Sequence, residues 1–419
     1  MGQRNRRAVR LCPGCRPVRA RLQGGCKARK AVPESTSHGS RITLMRIGLV
    51  LDDTLDTPDG VQQYVLNVGA WLSEQGHDVH YLVGYTSRQD IANIHSLSRN
   101  LKVRFNGNRM SMPLPTSRKR LKEFFAEQHF DIVHVQVPYS PFLAGRMLTV
   151  VPEVTGVVGT FHILPYSRMV RSANRALGAW NKRSGNRFDQ MLAVSEPARE
   201  FAEQTYGYRN VQVMPNPVRL AQFQGVTSSD PALNIVFLGR LVERKGALQL
   251  LKAVAYVREQ QLFEGEFTVH IGGKGELLGA LQAFAATHNL TDSVRFDGFI
   301  GEDDKAGYLA AADLAVFPSS GGESFGIILL EAMAAARGVV LAGNNPGYAS
   351  VMQPFPEQLF DTQNIRRFAE LLAGWLGDTE RRRQAAAQQQ EYVREFDISV
   401  VGNRLLGVYE EVLQTKRQT

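Results

Sequence analysis

The chain has little of several things that would direct its reading elsewhere. It has 3 cysteines in 419 residues, Cys12, Cys15 and Cys26, all ahead of Met45, so no disulfide staples the rest, and a reducing compartment fits. Cys12 and Cys15 form a single C-x-x-C with no second pair and no framing strand or helix pattern, which is half of a zinc or redox site at most. No stretch reaches the roughly 18 apolar residues of a membrane span, and the N-terminal segment lacks the apolar core of a secretory signal. No two aspartates stand two apart, so an Asp-x-Asp pair for a divalent ion is missing. The G-x-G-x-x-G of dinucleotide folds is missing at the first strand–helix turn, which argues against a dehydrogenase. Acid is scarce in residues 1–44, which hold eleven Lys and Arg against Glu34 alone. The formal charge of +9 therefore belongs to that segment and leaves the remainder near neutral, which removes nucleic acid as a partner. Residues 1–44 read as a disordered basic extension, or as upstream sequence from a misplaced start, because Met45 opens a strand.

What is present suits two domains. The length exceeds one ordinary domain, and 43% hydrophobic residues can fill two cores. From Met45 onward, short β-rich runs alternate with helical periods. Arg46–Leu51 reads as a buried strand, and Val61, Tyr64, Val65, Val68 and Leu72 share a helical face that Gly76 ends. Further strands are expected at Val79–Val83, Ile132–Gln136, Val157–Phe161 and Met191–Val194. The series restarts after Pro215-Asn216-Pro217, with strands at Asn234–Leu238, Phe267–Ile271, Val294–Phe296, Leu314–Phe317 and Val339–Leu341 and a helix over Ala247–Arg258. The pattern predicts an α/β protein of two doubly wound, Rossmann-like domains facing a central cleft. Residues 45–218 form the first, 219–395 the second, and 396–419 a C-terminal helix returning to the first. Ligands then sit at the carboxyl ends of the strands.

Four constellations fall at such ends. Gly321-Gly-Glu323-Ser324-Phe325-Gly326 runs from a strand into a helix that carries Glu331. The N–H groups of Ser324, Phe325 and Gly326 would face an anion such as a diphosphate, while the two carboxylates accept hydrogen bonds from sugar hydroxyls and a ribose diol. Gly239-Arg240-Leu-Val-Glu-Arg-Lys245-Gly246 places Arg240 and Lys245 where they can neutralise a departing diphosphate without a metal. Pro58-Asp59-Gly60-Val-Gln62 lets a phosphate or an acceptor approach at Gly60. Gly159-Thr-Phe-His162 sets His162 toward the cleft, beside an acceptor or the reacting sugar. Solvated loop acids and cations, a capped helix and a structural histidine are the plain alternatives for each taken singly.

Together these residues resemble the retaining family 4 glycosyltransferases of the GT-B fold, over Met45 to about residue 415. Glu323 and Glu331 match the family's E-x7-E, and Arg240 and Lys245 its basic loop. Gly272-Gly273-Lys-Gly275, Gly298-Phe-Ile300, Ser195-Glu-Pro and Pro215-Asn216 stand where the family has its G-x-G, G-x-[VI], V-S-x and P-N elements. Within the family the chain is most similar to the phosphatidylinositol mannosyltransferases, whose P-G-G-V-Q and T-F-H resemble residues 58–62 and 160–162. The resemblance implies that Gly60, Arg240 and Lys245 bind the donor diphosphate, that Glu323 holds the hexose and Glu331 the ribose, and that Gly273, Ile300 and Lys305 line the nucleotide. It implies transfer of mannose from GDP-mannose, with retention and with no metal or other cofactor, to a hydroxyl of a phosphatidylinositol-type lipid. Asp59 replaces the first glycine of the loop, and Pro217 the glycine of the family's P-N-G-V.

The alternatives are a UDP-sugar donor with a polysaccharide or soluble acceptor, and a non-catalytic nucleotide-sugar-binding protein. A further expectation concerns an anionic membrane surface. Residues 101–187 hold fourteen Lys and Arg against four acids. Arg118, Lys119, Arg120 and Lys122 lead a helix with Leu121, Phe124 and Phe125, and Tyr166–Arg187 has six cations and no acid. Basic amphipathic helices of this kind lie among headgroups, which suggests a cytoplasmic protein peripheral to the inner face of the cell membrane.

Overall fold

Apolar runs without alternation build strands whose two faces are both covered, the condition of a parallel sheet under helices. The computed structural model describes residues 43–56, 59–105, 108–114, 116–165, 187–226 and 232–418. The cysteines, Pro58 and the basic stretch 166–186 lie outside these. The N-terminal sheet contains β1 (Arg46–Leu51), β2 (Asp78–Val83), β3 (Ile94–Ser96), β6 (Ile132–Val135), β7 (Gly156–Phe161), β8 (Gln190–Ala193) and β9 (Gln212–Val213). Its order is β3-β2-β1-β6-β7-β8-β9, with every pair parallel. An antiparallel hairpin, β4 (Asn100–Phe105) with β5 (Asn108–Pro113), stands apart from it. The C-terminal sheet contains β10 (Asn234–Leu238), β11 (Thr268–Gly272), β12 (Val294–Gly298), β13 (Leu314–Phe317), β14 (Val339–Gly343) and β15 (Leu359–Phe360), ordered β12-β11-β10-β13-β14-β15 and again parallel. In each sheet the order reverses once, beside β1 and β6 and beside β10 and β13. Loops leaving those strands diverge and open a crevice.

Helices cover both faces. Helix α1 (Gly60–Glu74) buries Tyr64, Val65, Val68, Trp71 and Leu72 on the N-terminal sheet. The same core receives Val401, Leu405, Val408, Tyr409 and Val412 from the last helix, Ile398–Gln418. Gly402 makes this possible, since a Cβ there would lie 2.5 Å from the Trp71 ring. The crossing chain is pinned where Val218 bridges Asp397. Another apolar cluster runs from Phe161, Ala198 and Phe201 to Phe325, Leu329 and Tyr348, so the two sheets share a core on one side of the crevice.

Helix α2 (Arg118–Gln128) departs from the amphipathic expectation. Leu121 and Phe125 are buried, and Phe124 packs edge-on against His95 at 5.0 Å. The apolar face is consumed by the core, and the solvent side carries the exposed cations Arg118, Lys119, Arg120 and Lys122 together with the exposed acids Glu123 and Glu127.

Candidate functional site

The two loops at the β10/β13 crevice are built against each other. After β10 the chain makes one 3-10 turn, Glu243–Lys245, and leaves it through Gly246 at φ 79°. A Cβ on Gly246 would lie 2.0 Å from the Pro318 carbonyl oxygen, so only glycine permits the approach. The Arg244 carbonyl accepts from Ser320 N at 2.9 Å, and the Ser319 hydroxyl, 3.0 Å from that carbonyl and 2.9 Å from Glu323 Oε1, has one proton to give to either. This contact delivers Arg244 and Lys245 to Glu323, with Nη1 at 2.7 Å and Nζ at 2.9 Å. Burial raises the Glu323 carboxyl, but the Lys245 and Arg244 charges outweigh it and bring it down to about 2. Burial pushes the Lys245 ammonium down, against the opposing pull of Glu323.

Arg240 is partly buried, and its side chain makes no hydrogen bond or ion pair among the described residues. Burial lowers its guanidinium, and the charges of Asp59 and Glu323 oppose this. Asp59 thus exerts its charge on Arg240 from the other half of the protein. Next to it, Gly60 opens α1, and a Cβ there would meet nothing within 4 Å.

Beyond Glu323 the loop enters the helix Ile327–Ala335 through Gly326, at φ 129°. The N–H groups of Ser324, Phe325 and Gly326 carry no hydrogen bond among the described residues, which makes this helix start an open anion site. The Phe325 side chain takes no part, since it is buried in the shared core near Phe396. The Ser324 carbonyl accepts from Ser195 Oγ of the N-terminal half at 2.5 Å. One turn on, buried Glu331 receives Lys305 Nζ at 2.7 Å, and Lys305 also meets Glu302 at 2.7 Å. Burial raises the Glu331 carboxyl against the lowering effect of Lys305.

Gly273 serves a tighter purpose than ligand approach. Its Cβ position lies 1.8 Å from the Gly239 oxygen, and its N–H donates to the Gly298 oxygen at 2.5 Å. It locks the ends of β10, β11 and β12 together, and partly buried Ile300 follows from the same junction.

Across the crevice, His162 follows directly on β7. Its Nε2 pairs with Gln136 Oε1 at 2.9 Å, and its ring meets Tyr64 edge-on at 5.0 Å. Burial brings His162 down to about 3, so the imidazole is neutral at physiological pH. Beneath it runs a buried polar chain. His134 contacts Tyr409 Oη at 2.7 Å through Nδ1 and Thr160 Oγ1 at 2.6 Å through Nε2, and Thr160 in turn bonds Tyr64. Asp52, at the end of β1, is raised to about 7 by burial although Ser140 and the Ala144 N–H bond it. It caps the short helix Leu143–Leu148.

The structure therefore gathers Arg240, Lys245, Glu323 and the 324–326 amides into one crevice, with Glu331 and Lys305 paired one turn on, and sets Gly60 and His162 on the facing half. Sequence reasoning missed Arg244, Ser319, Gln136 and Asp52. Position beside Lys245 and at strand ends was the only signal for them.

Residues 58–222 match the model described as Glycosyltransferase Family 4, and residues 219–392 that of the glycosyl transferases group 1. The chain is 30% identical over 383 residues to a phosphatidyl-myo-inositol mannosyltransferase of Propionibacterium freudenreichii, covering 87% of this chain and 94% of that protein. It is 29% identical over 376 residues to the phosphatidyl-myo-inositol mannosyltransferase of Mycolicibacterium smegmatis, at 88% and 94% coverage. Among solved structures, a glycosyltransferase from Rickettsia africae superposes with a TM-score of 0.68 at 16% identity, over 88% of this chain and 99% of that one. Matched along both sheets by the two family models, and nearly end to end by these relatives, the chain belongs to the family 4 glycosyltransferases of the GT-B fold and is a glycosyltransferase similar to the phosphatidyl-myo-inositol mannosyltransferases.

Proposed function

We propose that the protein transfers mannose from GDP-mannose to a hydroxyl of a phosphatidylinositol-type lipid, with retention of configuration and without a metal ion. The observation that carries this reading is the convergence of Arg240, Lys245 and the unbonded 324–326 amides on one crevice that also holds an ionised Glu323. Preorganised cations and N–H groups of this kind stabilise a departing diphosphate. The names of the relatives support mannose and the inositol lipid.

In the reaction, the bond between the sugar C1 and the diphosphate oxygen breaks while the acceptor hydroxyl oxygen bonds to C1 from the same face. The hydroxyl proton passes to the departing diphosphate oxygen. Arg240 and Lys245 take the charge that develops there, Glu323 accepts from hexose hydroxyls, and Glu331 accepts from the ribose diol. Ile300 and Lys305 flank the nucleotide, and neutral His162 accepts from or donates to the lipid headgroup. Positioning the two substrates supplies the rest of the acceleration.

No described helix is long and apolar enough to cross a membrane, so a lipid acceptor requires surface docking. The exposed cations of α2 offer an electrostatic contact for anionic headgroups on the cytoplasmic face. The test is a panel of GDP- and UDP-sugars with phosphatidylinositol vesicles, a polysaccharide and a soluble inositol phosphate, in excess chelator and with magnesium. GDP-mannose and the lipid should give an α-linked product in both conditions. A preference for a UDP-sugar, a soluble acceptor, or complete loss in chelator each overturns the corresponding part.

A further inference from the structure

Glu323 is held by one oxygen only. Arg244 Nη1 at 2.7 Å, Lys245 Nζ at 2.9 Å and Ser319 Oγ at 2.9 Å all converge on Oε1. Oε2 has no hydrogen bond among the described residues and keeps contact with solvent. A carboxylate anchored in this way presents one oxygen, with its lone pairs, in a fixed direction.

The two cations that share Oε1 are unlike. The Arg244 side chain is 10% exposed, and its own carbonyl accepts from Ser320 N at 2.9 Å. Its main chain is fixed by the contact between the two loops. Lys245 is a point charge on a flexible stem, and it shares the crevice with Arg240, whose side chain makes no hydrogen bond or ion pair among the described residues. A nucleoside diphosphate entering that crevice brings two or more negative charges and competes with Glu323 for Lys245. If Lys245 were the only cation on Glu323, the competition would strand a buried carboxylate. Arg244 prevents this.

We propose that Arg244 is a positioning residue for the transferred sugar: it keeps Glu323 anchored through Oε1, with Oε2 directed at the hexose hydroxyls, while Lys245 turns from Glu323 to the diphosphate. This rests on the reading of the crevice as a nucleotide-sugar site. It assigns Arg244 no contact with substrate. Two adjacent cations thereby divide two tasks, one holding the acid that reads the sugar and the other serving the leaving group.

The experiment compares the full-length chain with R244Q and R244K. Each is titrated with GDP and with GDP-mannose, and kcat/KM is followed through the acid range. R244Q should bind GDP within about twofold of the parent and lose about tenfold or more of the sugar-dependent part of binding and turnover, the scale of a hydrogen bond to a charged group. Its acid limb should move to higher pH. Glu323 then lacks one of the two charges that hold it down, so the required carboxylate protonates sooner as pH falls. R244K should recover most of both effects. If R244Q does not fold, R244K alone decides, with an expected sugar-specific loss of about threefold and GDP binding unchanged. Equal losses on GDP and GDP-mannose would make Arg244 a phosphate ligand and overturn the proposal, as would an acid limb that stays in place in R244Q. A parent protein that binds GDP but gains nothing from the sugar of any nucleotide sugar in the panel overturns the donor reading, and the proposal with it. If the parent prefers another donor, the same comparison is made with that donor and its nucleoside diphosphate, and the same outcomes decide.

Discussion

Replacing Tyr409 by Phe should weaken the N-terminal domain while leaving nucleotide binding alone. The substitution removes one oxygen and keeps the ring that fills the core beneath Tyr64 and Trp71. It strips His134 Nδ1 of its partner at 2.7 Å, and His134 is 0% exposed, so no solvent is at hand to replace it. A lost bond that leaves a buried polar atom unpaired costs about 1–3 kcal/mol. For a domain of this size that is a fall of roughly 2–12 °C in its melting midpoint. The assay is calorimetry of the full chain with and without GDP, alongside GDP titration and acceptor kinetics. The N-terminal transition should drop and the GDP affinity stay within about twofold, because Tyr409 packs in the N-terminal core and, among the described residues, shares no hydrogen bond or ring contact with Arg240, Lys245 or Glu323. The acceptor KM should rise, since Thr160 and Tyr64, against which His162 packs, lose the anchored end of their chain. An unchanged midpoint would show that the chain of polar contacts carries no stability, and an equal loss of GDP affinity would show that it does not act locally.

Three further outcomes are expected. Arg240→Ala or Lys245→Ala should lower turnover about a hundredfold or more with the fold intact, the scale of losing one preorganised charge-stabilising group; unchanged turnover in both refutes the diphosphate role. Glu323 sits at about 2 when folded against 4.5 ordinarily, so its contribution to stability is complete above pH 4.5 and is lost as pH falls toward 2; E323Q, measured by acid melts, should be less stable at neutral pH yet flatter through that window, and a parallel acid slope would refute the assignment. Reversing Arg118, Lys119, Arg120 and Lys122 to Glu should abolish co-sedimentation with anionic vesicles at low salt, and raised salt should do the same to the parent; vesicle binding that survives charge reversal would place the docking surface elsewhere.

The fold was legible because its strands are short, unbroken apolar runs. Asn234–Leu238 and Leu314–Phe317 fall where the sequence places them to the residue. Glu323 and Lys245 are conspicuous in sequence as single residues on strand-end loops. Their arrangement is not, because Arg244 and Glu323 are 79 residues apart and meet only where β13 is laid beside β10. The partnership of His134 with Tyr409 spans 275 residues and depends on the returning helix, so no local pattern encodes it. The apolar face of α2 was illegible for a related reason: periodicity reports such a face but not what covers it, and here the core does, leaving the charged side for any surface contact.

The path of that last helix also bears on how the protein comes into being. Val401, Leu405, Val408, Tyr409 and Val412 complete a core whose other members begin with Met45. On the ribosome they arrive after the whole C-terminal sheet. The second domain has its strands and covering helices in one continuous stretch and is free to fold as it emerges. The first has to wait with part of α1 and its sheet uncovered, the apolar surface around Trp71 open to other chains until Ile398–Gln418 is released. A nascent chain stalled ahead of Ile398 would then carry a finished half and an unfinished one in reverse order of their synthesis. The demand for protection from aggregation would fall on the half that was made first.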